Sequence, residues 1–366
     1  MRLGYFAMPM HPHTRPWQET LTEDRDAVIL ADRLGFHDAF IGEHLTDRLE
    51  SITNSMIFQA TLIHSTERIR LATGTTNLTH VHPAIVAANA AMMDHLSAGR
   101  FILGISPGAL PSDAEILGIL DEDRNAMFAD SIDTVLTLWE SAAPYQIASA
   151  NGYFTASTAR TYNAELGLGA LRAPLQQPRP EIVGTVVAPF SKGVIAMGQR
   201  DFHPLSANFL LPQWLRSHWD NYVEGAGERA DTSHWRVART IFVASEDQVA
   251  RRYALEEAGS PYRFYYSQML RKMTYGRRLD LFKSRRDQPD EEVTLESTLD
   301  QLVLCGSPQH VAEQILELVE ATGEFGEIVY AGMDWADPEL GRESMRLMAE
   351  QVMPLVNKSL AVERSA

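Results

Sequence analysis

This sequence has little cysteine, no long apolar run and no excess of positive charge. Cys305 is the only cysteine among 366 residues, so no disulfide can form within the chain. No apolar run is long enough for a membrane span, and the first residues lack the apolar core and cleavage site of a secretion signal. The formal net charge of −16 would repel phosphates over most of the surface. We therefore expect a cytoplasmic protein that binds neither nucleic acid nor membrane.

The alternation of short apolar runs with helical patterns predicts the fold. Apolar residues make up 45% of the chain and charged residues 22%, as in an ordinary globular protein with a large core. We interpret eight runs as strands, at residues 2–7, 37–41, 69–73, 101–105, 181–186, 203–210, 235–244 and 327–331. Eight strands alternating with helices predict an α/β fold, a (β/α)8 TIM barrel, as a single domain over residues 1–366.

Two segments interrupt this alternation. Residues 142–180 lose all periodicity in a stretch dense in Gly, Pro, Ala and Tyr, which indicates either a functional lid or an unrecognised hairpin. Residues 255–295 are helical and aromatic and then become charged and exposed. We expect both to be lid-like insertions in the barrel. No GxGxxG motif stands between a strand and a helix, so a Rossmann fold has little support.

The stretch RFILGISPGALPSD, residues 100–113, is typical of a buried strand that opens onto a ligand-binding loop. In a barrel of this class, the active site is built from the loops that follow the strands. Those loops carry few charged groups here, and small and apolar residues dominate them. This composition favours a flat aromatic cofactor over a sugar or a phosphorylated metabolite.

Three positions in these loops are candidates for chemistry. His44 directly follows the second strand, where an imidazole that titrates near neutrality favours an acid–base role over simple helix capping. Arg124 begins a long helix and could bind a phosphate, although a solvated first-turn arginine explains it equally well. Ser191 stands near the start of a helix whose free amides could receive an anion.

A metal-dependent hydrolase is the alternative from a different class. Its ligands would be His11 and His13 after the first strand, with His203 and Asp334 near later strands. Such sites hold a catalytic Zn²⁺ through imidazole and carboxylate ligands. However, His11 and His13 straddle a proline several residues beyond the strand, which favours a surface turn. We therefore expect no metal site.

Four motifs in one order resemble the bacterial luciferase-like flavin monooxygenases. They are IGEHL at 41–45, THVHP at 79–83, MDHLSAGRFILGISPGALPSDAEILGI at 93–119 and CGSPQHVAEQI at 305–315. The likeness is to the limonene monooxygenase-type branch, in which a GPGALPSDA-like loop is typical. Ser106 replaces the first glycine of that loop here. The resemblance extends over nearly the whole chain.

This resemblance implies a luciferase-like barrel that binds reduced FMN (FMNH2) supplied by a separate flavin reductase. Reduced FMN would react with O2, and a flavin C4a-peroxide would insert one oxygen atom into a small apolar organic substrate. It also implies a homodimer. Two alternatives stay open within the fold: an F420-dependent oxidoreductase, which moves a hydride without oxygen, and a non-catalytic flavin-binding protein. The presence of His44 argues against the second.

The resemblance also assigns roles residue by residue. His44 matches the family's active-site histidine, expected to hydrogen-bond the peroxide or to move its proton. Phe6 and Ser106 match positions beside the flavin ring, and Gly74-Thr75 matches a non-proline cis peptide under the ring. The residues that match the phosphate site are Arg124, Val187, Ala188 and Ser191.

Two positions depart from the family pattern. Pro107 stands where luciferase has a phosphate-binding arginine, so phosphate binding is expected to depend on Arg124 and on backbone amides. Leu45 stands where many relatives have a second histidine, which leaves His44 as the only titrating group of that pair.

Overall fold

The computed structural model describes residues 1–363, which contain twelve strands and thirteen α-helices. The strands are β1 (Arg2–Ala7), β2 (Asp38–Ile41), β3 (Arg70–Thr73), β4 (Thr76–Asn77), β5 (Phe101–Ser106), β6 (Gln146–Ala148), β7 (Thr155–Ser157), β8 (Glu181–Val186), β9 (His203–Ser206), β10 (Arg236–Val243), β11 (Val303–Gly306) and β12 (Glu327–Ala331). The helices are α1 (Trp17–Arg33), α2 (Ser55–Ala60), α3 (Pro83–Leu96), α4 (Pro111–Ile116), α5 (Arg124–Glu140), α6 (Gly193–Gln199), α7 (Pro212–Ala226), α8 (Asp247–Arg251), α9 (Pro261–Tyr275), α10 (Leu295–Leu302), α11 (Pro308–Thr322), α12 (Pro338–Leu347) and α13 (Met353–Glu363). None of these helices combines the length and the apolar character needed to cross a membrane.

Eight of the strands form a closed parallel barrel. They pair in the order β1, β2, β3, β5, β8, β9, β10 and β12, and β12 pairs back with β1. Tyr5 of β1 stands opposite Ala39 of β2 on one side and Tyr330 of β12 on the other. The eight predicted strands are these eight, so the predicted TIM barrel is confirmed. Since every pair is parallel, all carboxyl ends meet at one rim, which we call the mouth.

The sheet differs from the sequence-based expectation at the end of β9 and at β11, and residues 142–180 contain the hairpin that the sequence left open. The predicted strand at 203–210 ends at Ser206, where the chain turns towards α7. β11 was not predicted, because its four residues follow α10 directly with no turn signal between them. It pairs with the carboxyl-terminal half of β10. Strands β6 and β7 form an antiparallel hairpin inside residues 142–180, which confirms the hairpin alternative for that segment.

Helix ends follow ordinary capping chemistry. In α11 the hydroxyl of Ser307 accepts a hydrogen bond from the amide of His310, and Pro308 occupies the first turn. The helix ends at Gly323, whose φ of +87° a side chain would oppose. Both ends lie where the sequence predicts them.

An apolar layer fills the barrel. Seven strands each contribute one buried side chain to it, namely Phe40, Ala72, Ile102, Val183, Leu205, Ala238 and Val329. Phe6 of β1 packs on this layer, and its ring stacks on that of Phe40 with 6.3 Å between the centroids. The mouth therefore has an aromatic and aliphatic base.

The opposite, amino-terminal end of the barrel is charged and buried. Arg236 lies 2.8 Å from Asp38 and 2.8 Å from Glu181, and its guanidinium stacks below the Phe40 ring. Glu327 lies 3.6 Å from the same guanidinium. Burial alone would raise the pKa of Asp38, but Arg236 and its other cationic neighbours hold it well below its usual range. We call this group, Asp38, Glu181, Arg236 and Glu327, the barrel floor.

The structure of the barrel floor predicts that removing its central cation, Arg236, lowers the stability of the protein substantially. Arg236→Met removes the cation that the buried carboxylates of the barrel floor share and leaves them only partners at the edge of the group, such as Arg70 and His37. We therefore expect the free energy of unfolding to fall by about 3–5 kcal/mol. Urea denaturation monitored by circular dichroism measures this change. The matched control is Arg346→Met, which removes pairs with Glu343 and Glu350 on an exposed helix face. Equal effects of the two substitutions would contradict the prediction.

Candidate active site at the barrel mouth

The ends of β3 and β5 bring four polar and backbone groups together. The Gly74–Thr75 peptide bond is cis, as the sequence resemblance predicts. The hydroxyl of Thr75 donates to Ser106 Oγ at 2.7 Å, and Ser106 in turn donates to Asn77 Oδ1 at 2.8 Å. Thr75 and Ser106, which the sequence assigned separately to the cofactor ring, are thus direct neighbours.

Glu43 fixes the loop that follows β2. Its carboxylate accepts hydrogen bonds from the amide and hydroxyl of Ser55 and from the amide of Asn77. Burial raises the pKa of Glu43 despite these bonds. The sequence named Glu43 with His44 among the residues that follow a strand but gave it no role, and its contacts show that it holds the β2 loop against β4.

His44 lies between two buried carboxylates. Its Nε2 is 3.2 Å from Glu50 and its Nδ1 is 3.7 Å from Asp113, which also accepts hydrogen bonds from the amides of Leu45 and Thr46. Burial would lower the pKa of His44, but the two carboxylates outweigh it and raise that pKa to about 10. The expectation that His44 titrates near neutrality is therefore wrong. At neutral pH it is an imidazolium, and it can act as a proton donor.

Helix α9 reaches the carboxylate that holds His44. Lys272 Nζ lies 2.8 Å from Glu50 Oε1 and also pairs with Asp47. Burial would raise the pKa of Glu50, but His44 and Lys272 lower it to about 2. The segment 255–295 is thereby tied to the loop that carries His44.

The same helix lies over the carboxyl ends of β9 and β10. The Tyr266 hydroxyl is 2.9 Å from Thr240 Oγ1, and Asn208 Nδ2 donates to the hydroxyl of Tyr265 at 3.4 Å. The contacts of the β6–β7 hairpin are different. They run to the flank of the barrel, where His82 bonds the Thr155 carbonyl at 3.1 Å.

The four residues assigned to phosphate binding lie on two loops. Arg124 begins α5, and its Nη1 donates to the carbonyl of Gly108 at 3.2 Å, in the loop after β5. Val187, Ala188 and Ser191 follow β8. Within residues 1–363 no hydrogen bond joins Arg124 to that loop. Because a guanidinium has five N–H donors and Arg124 uses one of them, this half-buried side chain keeps donors for a phosphate.

Helix α7 holds the loop after β8 in place. His218 Nε2 donates to the carbonyl of Ala188 at 2.9 Å, and Asn221 donates to the carbonyl of Ser191 at 2.9 Å. Burial lowers the pKa of His218 to about 4, so its ring is neutral and suited to this bond. The backbone of the loop is therefore rigidly placed beside the mouth.

His80, which the sequence offered only as a doubtful metal ligand together with His82, lies beside the candidate site. Its Nε2 is buried without a hydrogen-bond partner in the described chain, and it lines a cleft of about 240 Å³ with Thr76 and Leu117. A Cβ at Gly108, whose φ is +80°, would lie 2.6 Å from this nitrogen. Burial lowers the pKa of His80, so a neutral imidazole stands near the charged His44. The THVHP motif contained His80 but gave it no role.

The ligand set of the metal-hydrolase alternative does not assemble. His11 is buried, against expectation, and lies 2.5 Å from Asp334 and 3.1 Å from Asp24. Burial opposes its charge, but these carboxylates raise the pKa of His11 to about 9. His13 is exposed, and His203 pairs with Glu181 at the barrel floor, far from the mouth. His11 and Asp334 therefore form an ion pair that ties the first loop to the last.

Comparison with known proteins gives consistent results. Residues 1–324 match the sequence model of the luciferase-like monooxygenase family. The 4-hydroxyprotoasukamycin monooxygenase of Streptomyces nodosus subsp. asukaensis is 30% identical, over 98% of this chain and 92% of that protein. Limonene 1,2-monooxygenase of Rhodococcus erythropolis is 27% identical, over 98% of this chain and 87% of that protein.

A solved structure of similar sequence matches the fold as well. It is the oxygenating constituent of 3,6-diketocamphane monooxygenase from Pseudomonas putida, described as a type II Baeyer–Villiger monooxygenase in complex with FMN. The TM-score is 0.85 at 27% identity, and the match covers 97% of this chain and 98% of that chain.

The carboxylate pair around His44 predicts the effect of Glu50→Gln. The substitution removes the negative charge of Glu50, which stabilises the protonated form of His44. We therefore expect the pKa of His44 to fall by roughly 1 to 2 from its value of about 10. Titration of isotope-labelled histidine by NMR measures this change. The control Glu296→Gln, an exposed carboxylate paired with Arg263, should leave the His44 titration unchanged. A His44 pKa near 6.5 in the unsubstituted protein would refute the electrostatic account.

Proposed function

Because the chain belongs to the luciferase-like monooxygenase family, we propose that it is the oxygenase component of a two-component flavin-dependent monooxygenase. It would take reduced FMN from a separate flavin reductase and use O2 to oxygenate an apolar organic substrate. The observation that carries this proposal is His44, a largely buried imidazolium with 15% of its side chain exposed, held at the mouth of a barrel that an apolar layer fills.

The residues at the mouth fit the shape and charge of FMN. Phe6 offers an aromatic base for a flat ring, and the Gly74–Thr75 backbone and Ser106 border it. Arg124 retains unused guanidinium donors for a phosphate, and the loop after β8 presents backbone close by. The diketocamphane relative, similar over nearly its full length, was solved with FMN. These features support FMN as the cofactor.

His44 is the residue that we expect to supply a proton. Bound reduced flavin would activate O2, so that one oxygen atom enters the substrate and the other leaves as water. Glu50 is close to His44 Nε2, whereas Nδ1 has no hydrogen-bond partner in the described structure and its nearest carboxylate is 3.7 Å away. We propose that the His44 imidazolium, whose ring protons are not fully used in hydrogen bonds, is the proton source for an oxygen atom in the site.

Segment 255–295 is suited to exclude water from this chemistry. Its Tyr265 and Tyr266 are buried over the ends of β9 and β10, where they join an apolar cluster with Met10 and Met333. Activated oxygen is lost to side reactions when water enters such a site. An apolar, covered mouth also favours an apolar substrate. We propose that this segment covers the active site, and that residues 142–180 pack on the outer flank of the barrel, away from its mouth.

The test follows flavin oxidation in the presence and absence of the protein. Anaerobically reduced FMN, mixed with the protein and then with oxygenated buffer, should reoxidise more slowly than free reduced FMN, because the mouth excludes water and other flavin molecules. Stopped-flow absorbance measures the rate. Reoxidation at the rate of free flavin would contradict the proposal, and binding of F420 in a parallel titration would then favour the hydride-transfer alternative.

A substitution at His44 completes this test. His44→Ala should keep FMN affinity and lower the yield of oxygenated product by about 100-fold or more, because general-acid assistance is lost. The lost product should appear as H2O2. The control His64→Ala changes an exposed histidine and should behave as the unsubstituted protein does. Normal product yield in His44→Ala would rule out the proposed role of His44.

We also propose that two copies of the chain form a homodimer through α2 and α3. Ile85, Met92 and Leu96 form a stripe along one face of α3, and each is more than half exposed. Ile57 of the adjacent α2 extends this stripe, with 71% of its surface exposed. An apolar stripe across two helices is a common mark of a protein interface.

If the stripe is the dimer interface, a charged substitution in it should give a monomeric variant. Met92→Glu places a charge at its centre, so we expect the dimer to dissociate while the barrel stays folded. Sedimentation equilibrium gives the mass of each form. As a control, Val362→Glu alters an exposed apolar residue of α13 and should leave the dimer intact. A monomeric unsubstituted protein, or a dimeric Met92→Glu variant, would argue against this interface.

A further inference from the structure

Arg239 is a buried cation without an anion. Only 1% of its surface is exposed. Nη1 donates to the carbonyl of Ala238 at 2.9 Å and reaches that of Ala207 at 3.5 Å. Nε and Nη2 have no hydrogen-bond partner in the chain that the structure describes. Burial lowers the pKa of Arg239 to about 10, so the guanidinium is still charged at neutral pH.

A comparison with Arg236 shows how unusual a buried arginine without an anionic partner is. Both arginines lie on β10 and both are buried, but Arg236 is surrounded by Asp38, Glu181 and Glu327. A buried charge without such partners is costly, and folded proteins rarely keep one. The cost is recovered when a bound group supplies the missing negative charge.

The position of Arg239 identifies the place where that group would bind. Ala207, whose carbonyl it reaches, follows β9 and donates its amide to Val186 at 3.0 Å. Val187 and Ala188 come next in the chain. His218, which bonds the Ala188 carbonyl, lies close enough for Arg239 to contribute to its lowered pKa. Arg239 therefore lies close to the end of β9 and to the loop after β8, a loop already assigned to the cofactor.

We propose that Arg239 is a ligand-binding residue, whose free Nε–H and Nη2–H groups receive an anionic group of the flavin. This inference rests on the proposed function. Two parts of reduced FMN carry negative charge: the phosphate and the pyrimidine edge of the reduced ring. A cation beside that ring edge would also make reduced flavin bind more tightly than oxidised flavin.

The test compares three variants with the unsubstituted protein. Arg239→Met keeps the length of the side chain and removes its charge and donors, and Arg239→Lys keeps the charge. The control is Arg100→Met, since Arg100 is a half-buried arginine whose guanidinium is bonded to the carbonyls of Ile63 and Ile69. Two quantities are measured for each: the Tm of the flavin-free protein, and the anaerobic Kd for reduced FMN, oxidised FMN and reduced riboflavin.

We expect opposite results for the two Arg→Met variants. Arg239→Met should have a flavin-free Tm equal to or above that of the unsubstituted protein, because an uncompensated buried charge is removed. Its Kd for reduced FMN should rise about 10- to 100-fold, as for a lost charge-assisted hydrogen bond. Arg239→Lys should recover part of the affinity. Arg100→Met should lower the Tm and leave the Kd unchanged.

Each outcome decides a specific point. A loss of affinity for both reduced FMN and reduced riboflavin places the anion on the ring, and a loss for FMN alone places it on the phosphate. An unchanged Kd in Arg239→Met overturns the inference. So does a fall in its Tm to the level of Arg100→Met, or failure to fold, since either marks a structural arginine. If the unsubstituted protein itself binds no reduced FMN, it is the proposed function that fails.

Discussion

The parallel pairing of β12 with β1 is the interaction on which the rest of the structure depends. It closes the sheet, so that eight strand ends, scattered through some 330 residues of chain, meet at one rim. Without that closure, the loop after β2, which carries His44 and Glu50, would not meet α9, which carries Lys272. The apolar layer around Phe40 then separates this rim from the charged floor, so that each end has its own electrostatic environment.

Burying a positive charge is costly, and three largely buried cations of the barrel differ in how many carboxylates offset that cost. Arg236, at the floor, is compensated by three carboxylates and serves stability. His44, at the mouth, has two carboxylates but incomplete hydrogen bonding, so it holds a proton that it can still donate. Arg239 has no carboxylate at all. His44 and Arg239 are thus less completely compensated than Arg236, as expected if ligands complete their surroundings.

The sequence predicted the parts of this structure that depend on local pattern. The eight barrel strands, the hairpin alternative, the cap at Ser307 and the placement of His44, Thr75 and Ser106 at strand ends all follow from runs, turns and motifs a few residues long. The four-residue β11 was missed because no turn separates it from α10. Local pattern also misjudged His11, since a proline-flanked histidine looks exposed until Asp24 and Asp334 are seen around it.

The electrostatic behaviour of the site could not be predicted, because its partners are distant in sequence. His44 and Asp113 are brought together by the segments that follow β2 and β5, and Lys272 meets Glu50 across 222 positions of the chain. No spacing rule connects such residues. The same holds for Arg239, whose significance lies in the absence of any carboxylate, a property visible only after folding.

The position of α9 links the covering of the mouth to the acidity of His44. One helix places Tyr266 over Thr240 and Lys272 on Glu50. A lysine that shares the charge of Glu50 weakens the attraction of that carboxylate for the His44 proton, so His44 is more acidic with α9 in place than it would be without it. The residue proposed to donate a proton is thereby made a stronger acid by the same helix that we propose covers the active site. Covering the site and preparing its proton donor are thus consequences of one packing arrangement.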